Sequence, residues 1–341
     1  MSSFIERGSA ALRRLSIDTF TILLLCTVGL ASVLPCTGQT AVALGKVTTV
    51  AIGLLFFLHG AKLSRESIIA GAGHWRLHLL VFGLTFVLFP ILGLALKPLL
   101  SPLIGDQLYM GMLYLCALPA TVQSAIAFTS LARGNIPAAI CSAAASSLFG
   151  IFLTPLLVTL LLNVHGDGGS TLDAIVKISV QLLLPFIAGQ IARRWIGAWV
   201  GRNKSWLKFV DQGSILLVVY GAFSEAVNEG IWQQIPLFEL LGLVVVCCIL
   251  LTLVLVASIL LSKAFGFNQE DRITILFCGS KKSLATGVPM AQVLFAGSTI
   301  GVLILPLMLF HQIQLMVCAV LAQRYAKRPE SVPDLMAQVD P

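Results

Sequence analysis

Residues 273–295 read ITILFCGSKKSLATGVPMAQVLF, an apolar run of spanning length with two adjacent lysines, Lys281 and Lys282, near its middle. Arg272 precedes Lys281 by nine residues, about 14 Å of helix at roughly 1.5 Å per residue. The hydrocarbon core of a bilayer is about 30 Å thick, so both ammonium groups fall close to mid-depth. A charge at that depth costs at least about 3 kcal/mol and marks a functional site by default.

The rest of the chain is built for the same environment. Of its 341 residues, 57% are hydrophobic and only 11% charged, against about 25% charged in soluble domains. The fold class is therefore an all-α, multi-pass membrane protein, embedded in the lipid bilayer. Nearly the whole length is needed for spans, and no segment is left for a soluble catalytic domain. The net charge of +7 does not indicate nucleic acid, because the cations sit in short loops between apolar runs rather than in a basic, aromatic-laced stripe. The eight cysteines form no CxxC and no Cys/His cluster at zinc spacing, so no metal site and no resident cofactor is expected. Cys26, Cys116, Cys141, Cys247, Cys248, Cys278 and Cys318 are expected as small buried hydrophobes. Cys36 falls in a loop.

Arg13 and Arg14 precede an apolar run over 20–34 that has the outline of a signal peptide. Further spans follow it, and Pro35 beside Cys36 fits a cleavage box poorly, so the run reads as the first span. Hydropathy then places ten spans at 19–34, 40–60, 77–96, 108–132, 136–162, 173–195, 211–228, 238–262, 273–295 and 298–323. With the N-terminus cytoplasmic, the inner loops hold 17 of the 22 cations (Arg7, Arg13 and Arg14 at the start; Arg324, Lys327 and Arg328 at the end). The outer side holds Lys46, Lys97 and Lys177, and the last two are the mid-depth pair. The outer loops carry acids instead: Asp106, Asp167, Asp173, Glu229 and Glu239. This split is a positive-inside signal, and it implies a cell inner membrane protein with both termini cytoplasmic. A single transporter domain covers 1–323, followed by a short disordered tail over 324–341.

Ten spans divide into five and five, 1–165 and 166–323, and an odd number per half inverts the second half. Inverted repeats are a common build for secondary transporters. The fourth span of each half is interrupted by proline among small polar residues. Span 4 holds Pro119, Thr121, Gln123 and Ser124; span 9 holds Ser280, Lys281, Lys282, Ser283, Thr286 and Pro289. Proline removes a backbone donor and clashes with the preceding turn. Freed backbone groups are tolerated at membrane depth only where they line a cavity or bind something. Pro35, Pro90, Pro155, Pro185, Pro236 and Pro306 are read as kinks or end markers.

The phrase Phe277-Cys278-Gly279-Ser280-Lys281-Lys282-Ser283-Leu284-Ala285-Thr286-Gly287-Val288-Pro289 closely resembles the span-9 signature of one branch of the bile acid:sodium symporter family, the solute carrier family 10 type. Leu55–Leu63 (LFFLHGAKL), Leu131–Asn135 (LARGN) and Leu153–Leu157 (LTPLL) are similar as well. The resemblance implies two inverted five-helix repeats, a panel and a core domain, and discontinuous helices 4 and 9 crossing in the core. It implies ions near the crossing and an organic anion in the cavity between domains. This chain departs from the sodium-coupled pattern. Those relatives carry a glutamate before Gly-Met-Gln-Asn-Ser-Gly in span 9. Aligned on Gly279, that glutamate falls at Phe277, and the Gln and Asn positions become Lys281 and Lys282. Their Pro-Gly-Gly-Thr-Ala-Ser-Asn in span 4 becomes Pro119-Ala120-Thr121-Val122-Gln123-Ser124-Ala125. No acid occurs in either span.

Three roles for the lysines stay open. An ammonium stands where a sodium ion would bind, with Ser280, Thr121, Ser124 and freed carbonyls as acceptors. Alternatively a lysine exchanges a proton, since two adjacent cations in a dry site disfavour one another. Or the pair attracts an anionic substrate, helped by half-helix N-termini. His59, Glu225 and His311 are candidates for a proton relay. Gln190, Gln312 and Gln314 are candidates for lining a cavity. No enzyme motif is present: Gly279-Ser-Lys-Lys-Ser lacks the upstream glycine of a phosphate loop, and there is no HExxH or GxSxG. The expected function is symport of a small organic anion coupled to protons or sodium; the alternative is a non-transporting regulator of ion homeostasis on a transporter fold.

Overall fold

The computed structural model describes residues 19–62, 73–162, 171–228, 230, 235–295 and 300–328, with the side chains of 21, 171–181 and 204 left aside. Arg7, Arg13, Arg14, Arg65, Asp167, Glu229 and the tail beyond Arg328 lie outside these residues, as do the side chains of Asp173 and Lys177. All secondary structure among the described residues is helical. In chain order the helices are α1 (Thr19–Val33), α2 (Gly38–Lys62), α3 (Trp75–Gly83), α4 (Phe89–Ala117), α5 (Gln123–Leu131) and α6 (Ile136–Leu162). There follow α7 (Thr171–Arg202), α8 (Lys204–Asn228), α9 (Leu237–Ala264), α10 (Gln269–Gly279), α11 (Leu284–Leu294) and α12 (Ile300–Ala326). Among the described residues, five helical stretches are long and apolar enough to cross a bilayer: Gly38–Lys62, Trp75–Ala117, Ile136–Leu162, Leu237–Ala264 and Ile300–Ala326. Their outward faces carry Val50, Leu99, Leu160 and Leu241, each more than 60% exposed. Such a surface is soluble only in lipid, and the protein is a multi-pass membrane protein.

Between α3 and α4 the helix widens to a π turn over Leu84–Leu88, with the Phe89 N–H bonded to the Leu84 carbonyl. In that five-residue pairing the partner of the Thr85 carbonyl is residue 90. Residue 90 is proline and has no N–H, so the Thr85 carbonyl is left free inside the membrane. Further on, Gly105 adopts φ 72° and ψ 160°, a conformation open essentially to glycine alone. The chain folds back there. The Tyr109 hydroxyl donates to the Gly93 carbonyl at 2.8 Å, and a side chain on Gly93 would strike Cys116 and Leu113.

Helices α1, α2, α7 and α8 pack on one another, and α3–α6 pack with α9–α12. The α2/α7 crossing is made by glycines. A Cβ on Gly60 would lie 2.0 Å from the Phe186 carbonyl oxygen, and one on Gly189 would lie 1.9 Å from that of Phe57. Lys62 pairs with Asp211 across α2 and α8.

Several expectations change. Residues 196–210, expected as a loop, are helical apart from a turn at Asn203, because Val200 and Leu207 have apolar seats against Leu58 and Ala61 at the end of α2. Pro289 does not break its span: it lies inside α11, where the only acceptor it orphans is in the first turn. Among the cysteines, Cys26 and Cys248 are exposed on outer faces, which apolar surroundings tolerate in lipid as they do in a core.

Candidate functional site

The chain is broken at 118–122, between α4 and α5, and again at 280–283, between α10 and α11. The first break begins where proline requires. Leu118, the residue before Pro119, is extended (φ −76°, ψ 154°), because the proline ring excludes the helical region for its predecessor. The second break starts at Ser280 and ends at Ser283, whose side chain caps α11 by accepting from the Thr286 N–H at 3.2 Å. The two breaks touch: the Ser283 N–H donates to the Pro119 carbonyl at 3.0 Å.

Several of the backbone groups freed at the first break have partners on other elements. The Ala120 N–H donates to Ser146 Oγ at 2.9 Å. The Ala117 carbonyl accepts from Thr154 Oγ1 at 3.0 Å. The carbonyls of Cys116 and Leu118 accept from Lys282 Nζ at 2.9 and 2.6 Å, and the orphaned Thr85 carbonyl of the π turn accepts from the same nitrogen at 2.8 Å. Three donors meet three acceptors, so the Lys282 ammonium is saturated. It also lies 4.2 Å from the centre of the Phe89 ring, and two of its carbonyls belong to the negative, C-terminal end of α4. The main chain of Lys282 is clamped too. Gln314 of α12 accepts from its N–H and donates to its carbonyl, both at 2.9 Å.

Lys281 is treated otherwise. Its side chain is fully buried, like that of Lys282, yet its nitrogen has no hydrogen-bond acceptor. It rests 3.8 Å from the centre of the Phe128 ring. Two neighbouring lysines thus have opposite environments: one fixed by carbonyls, the other buried over an aromatic ring with no hydrogen-bond acceptor.

The hydroxyls expected to hold an ammonium do other work. Ser280 Oγ bonds back to the Leu276 carbonyl at 2.6 Å, and Thr121 pairs with Ser124 at 2.7 Å. Short hydroxyl side chains reach nearby backbone and neighbours more readily than a third element. Gln123 is exposed at the start of α5, and Thr286 Oγ1 is buried without a partner. Of the relay candidates, His311 reaches the site: its Nδ1 lies 2.9 Å from Gln314 Nε2. His59 stands on α2 against Phe56 and near Lys62 and Asp211. Glu225 is half-buried in the last turn of α8. The Thr85 carbonyl, Ser146, Thr154, Phe89 and Phe128 were not anticipated; the five-residue spacing from Thr85 to Pro90 was the available clue. Tyr114, also unanticipated, ties α4 to α11 through a 2.5 Å bond to the Gly287 carbonyl.

Comparison with known proteins identifies relatives over most of the chain. The chain is 67% identical to uncharacterized protein PA2026 of Pseudomonas aeruginosa over 321 residues, 94% of this chain and 96% of that protein. It is 59% identical over 316 residues to the Escherichia coli protein named "Putative symporter YfeH", covering 93% and 95% of the two. Sodium/bile acid cotransporter 7 of Danio rerio is 31% identical over 281 residues, 81% and 82% of the two chains. The latter two relatives are named as transporters, not enzymes. A family model matches residues 18–327, and the chain belongs to the SBF-like CPA transporter family.

Proposed function

We propose that this protein is a secondary symporter of a small organic anion, working by alternating access around the meeting point of the two broken spans. The reading takes the helices as ten crossings in two inverted halves, with spans 4 and 9 as the broken pair and α1, α2, α7 and α8 as one moving group against the rest. It places the chain in the inner membrane with both termini cytoplasmic. The observation that carries it is the Ser283–Pro119 backbone bond beside a saturated Lys282 ammonium. Broken helices meeting at mid-depth are the hallmark of transport sites. Here a tethered cation stands among carbonyls of the kind that would otherwise hold a free one, which disfavours sodium in that place and favours protons as the coupling ion. Lys281, with its three donors unused, is the group left to meet a proton or an anion.

Uptake by proteoliposomes under separate proton and sodium gradients tests this. Anion uptake driven by the proton gradient, and abolished in Lys281→Gln with the fold intact, is the expected result. Uptake driven by sodium alone overturns proton coupling. Absence of flux for a broad panel of organic anions from correctly folded protein overturns the transport reading in favour of a regulator.

A further inference from the structure

The corner between α7 and α8 is unlike the rest of the surface. Residues 193–210 read RRWIGAWVGRNKSWLKFV, with five cations, no acid and three of the chain's five tryptophans. The turn itself is one residue long. Asn203 closes it by giving both its backbone N–H and its side-chain amide to the Trp199 carbonyl, at 3.0 and 2.8 Å. Val200 and Leu207 point inward onto Leu58 and Ala61, and Arg193 donates to the Ala61 carbonyl at the end of α2 at 2.8 Å. The corner is therefore a fixed knob rather than a loose loop, and everything not used in seating it faces outward.

What faces outward is aromatic and basic. Trp195, Trp206 and Phe209 are 70%, 57% and 73% exposed. Trp199 stacks edge-on against Trp206 with ring centres 5.9 Å apart. Arg194, Arg202 and Lys208 are exposed among them. Rings this exposed are unfavourable in water, and indole sits best at headgroup level, with an apolar body and one N–H donor. The headgroup layer is only about 5–8 Å deep on each side of the hydrocarbon, whereas α7 rises about 14 Å from Arg193 to Arg202. That length exceeds the depth of the layer, enough for cations along the corner to reach the plane of the phosphates.

We propose that this corner is a binding surface for anionic phospholipid headgroups of the leaflet it faces. Arg194, Arg202 and Lys208 contact the phosphates, and Trp195, Trp199 and Trp206 seat the glycerol and upper acyl region. The occupant follows from charge complementarity: five cations without a counter-acid favour an anionic leaflet over a zwitterionic one. The surface is separate from the lysine site and holds whether or not the protein carries an anion.

The test uses the full chain in nanodiscs and in detergent. Retention of phosphatidylglycerol against phosphatidylcholine is read by native mass spectrometry, and tryptophan quenching by brominated lipids reads contact. Removing the three exposed cations in R194Q/R202Q/K208Q is expected to lower phosphatidylglycerol affinity about a hundredfold, roughly fivefold per cation. High salt should have a similar effect on the unaltered chain. The inner-face control K263Q/R324Q/K327Q should retain the lipid. Equal binding of the two lipids by the unaltered chain, or equal losses in the two triple variants, overturns the proposal. Unfolding in R194Q/R202Q/K208Q is checked by its melting temperature in phosphatidylcholine, and W199F/W206F, which keeps every charge, should weaken quenching without changing the salt dependence.

Discussion

Replacing Lys282 by methionine separates the two lysines most sharply. The substitution keeps length and apolar volume and removes three charge-assisted hydrogen bonds. The carbonyls of Thr85, Cys116 and Leu118 then have no donor, at about 1–3 kcal/mol each. Their sum is about 3–9 kcal/mol. The Phe89 ring contact goes as well, at about 2 kcal/mol, and taking one charge out of the membrane interior returns about 3 kcal/mol, so the net loss is about 2–8 kcal/mol. Lys281→Met removes no hydrogen bond. It loses an aromatic contact of about 2 kcal/mol and gains the same relief of about 3 kcal/mol, so stability stays level or rises slightly. At roughly 2–4 °C per kcal/mol for chains of 150–250 residues, Lys282→Met melts at least about 4 °C below the parent. A thiol-reactive dye follows the melt, because Cys116, Cys141, Cys247, Cys278 and Cys318 are buried until the fold opens. Equal shifts for the two variants, or a Lys282→Met protein more stable than the parent, would refute the assignment of the carbonyls to Lys282 alone.

Other substitutions probe the same framework. Lys282→Ala empties the carbonyl cage, and millimolar methylammonium should raise the melting temperature of that variant while tetramethylammonium, which has no donor, should not. Gln314→Leu strips both main-chain groups of Lys282 of their partner, for a loss of about 2–6 kcal/mol, seen as a lower melting temperature or loss of the folded peak on size exclusion. Gly60→Ala and Gly189→Ala each drive a methyl to about 2 Å from a backbone oxygen, so each should cost at least about 1–3 kcal/mol on the same melt; no loss in either would refute the close crossing. Ser146→Ala leaves the Ala120 N–H unpaired and should cost about 1–3 kcal/mol, with Ser146→Thr recovering part of it.

The membrane class, the prominence of the lysine pair, which is fully buried, and the presence of two interruptions were legible because charge and proline stand out within apolar runs. What each interruption is made of was less so. Pro119 breaks its helix because Leu118 has nowhere helical to go, but Pro289 fits inside α11, and Gly279-Ser280 begins the second break instead. The expected hydroxyl acceptors failed for a physical reason: Ser280 is taken up by the preceding turn and Thr121 and Ser124 by each other, so main-chain carbonyls meet Lys282 instead. The Thr85 carbonyl was hidden because its freedom depends on a π turn and a proline acting together. Gln314 was one of three glutamines of equal standing until its two bonds to Lys282 set it apart. The α7–α8 corner was missed because hydropathy reads Trp, Gly and Arg at an interface as loop, whereas packing onto α2 makes it helix.

The lysine and the breaks solve each other's problem, and this bears on how the molecule can move. A broken helix in lipid has orphaned carbonyls, and a buried ammonium has unmet donors; neither is tolerable alone. Joined, they tie the π turn, the end of α4, the α10–α11 break and, through Gln314, α12 into one unit that shifts only as a body. Helices α1, α2, α7 and α8 are tied separately, by the Gly60 and Gly189 crossing and the Lys62–Asp211 pair. Where α8 meets α12 the contact is between small groups: a Cβ on Gly301 would lie 2.7 Å from Ala226 Cβ and 2.9 Å from the Ala222 carbonyl. Under the proposed alternating access the two groups move against each other here, and a bulky side chain at Gly301 would obstruct that movement. Gly301→Leu should therefore arrest transport in proteoliposomes while the Lys282 cage survives, read as an unchanged advantage of the parent lysine over methionine at position 282. If Gly301→Leu transports at the parent rate, the sliding seam lies elsewhere.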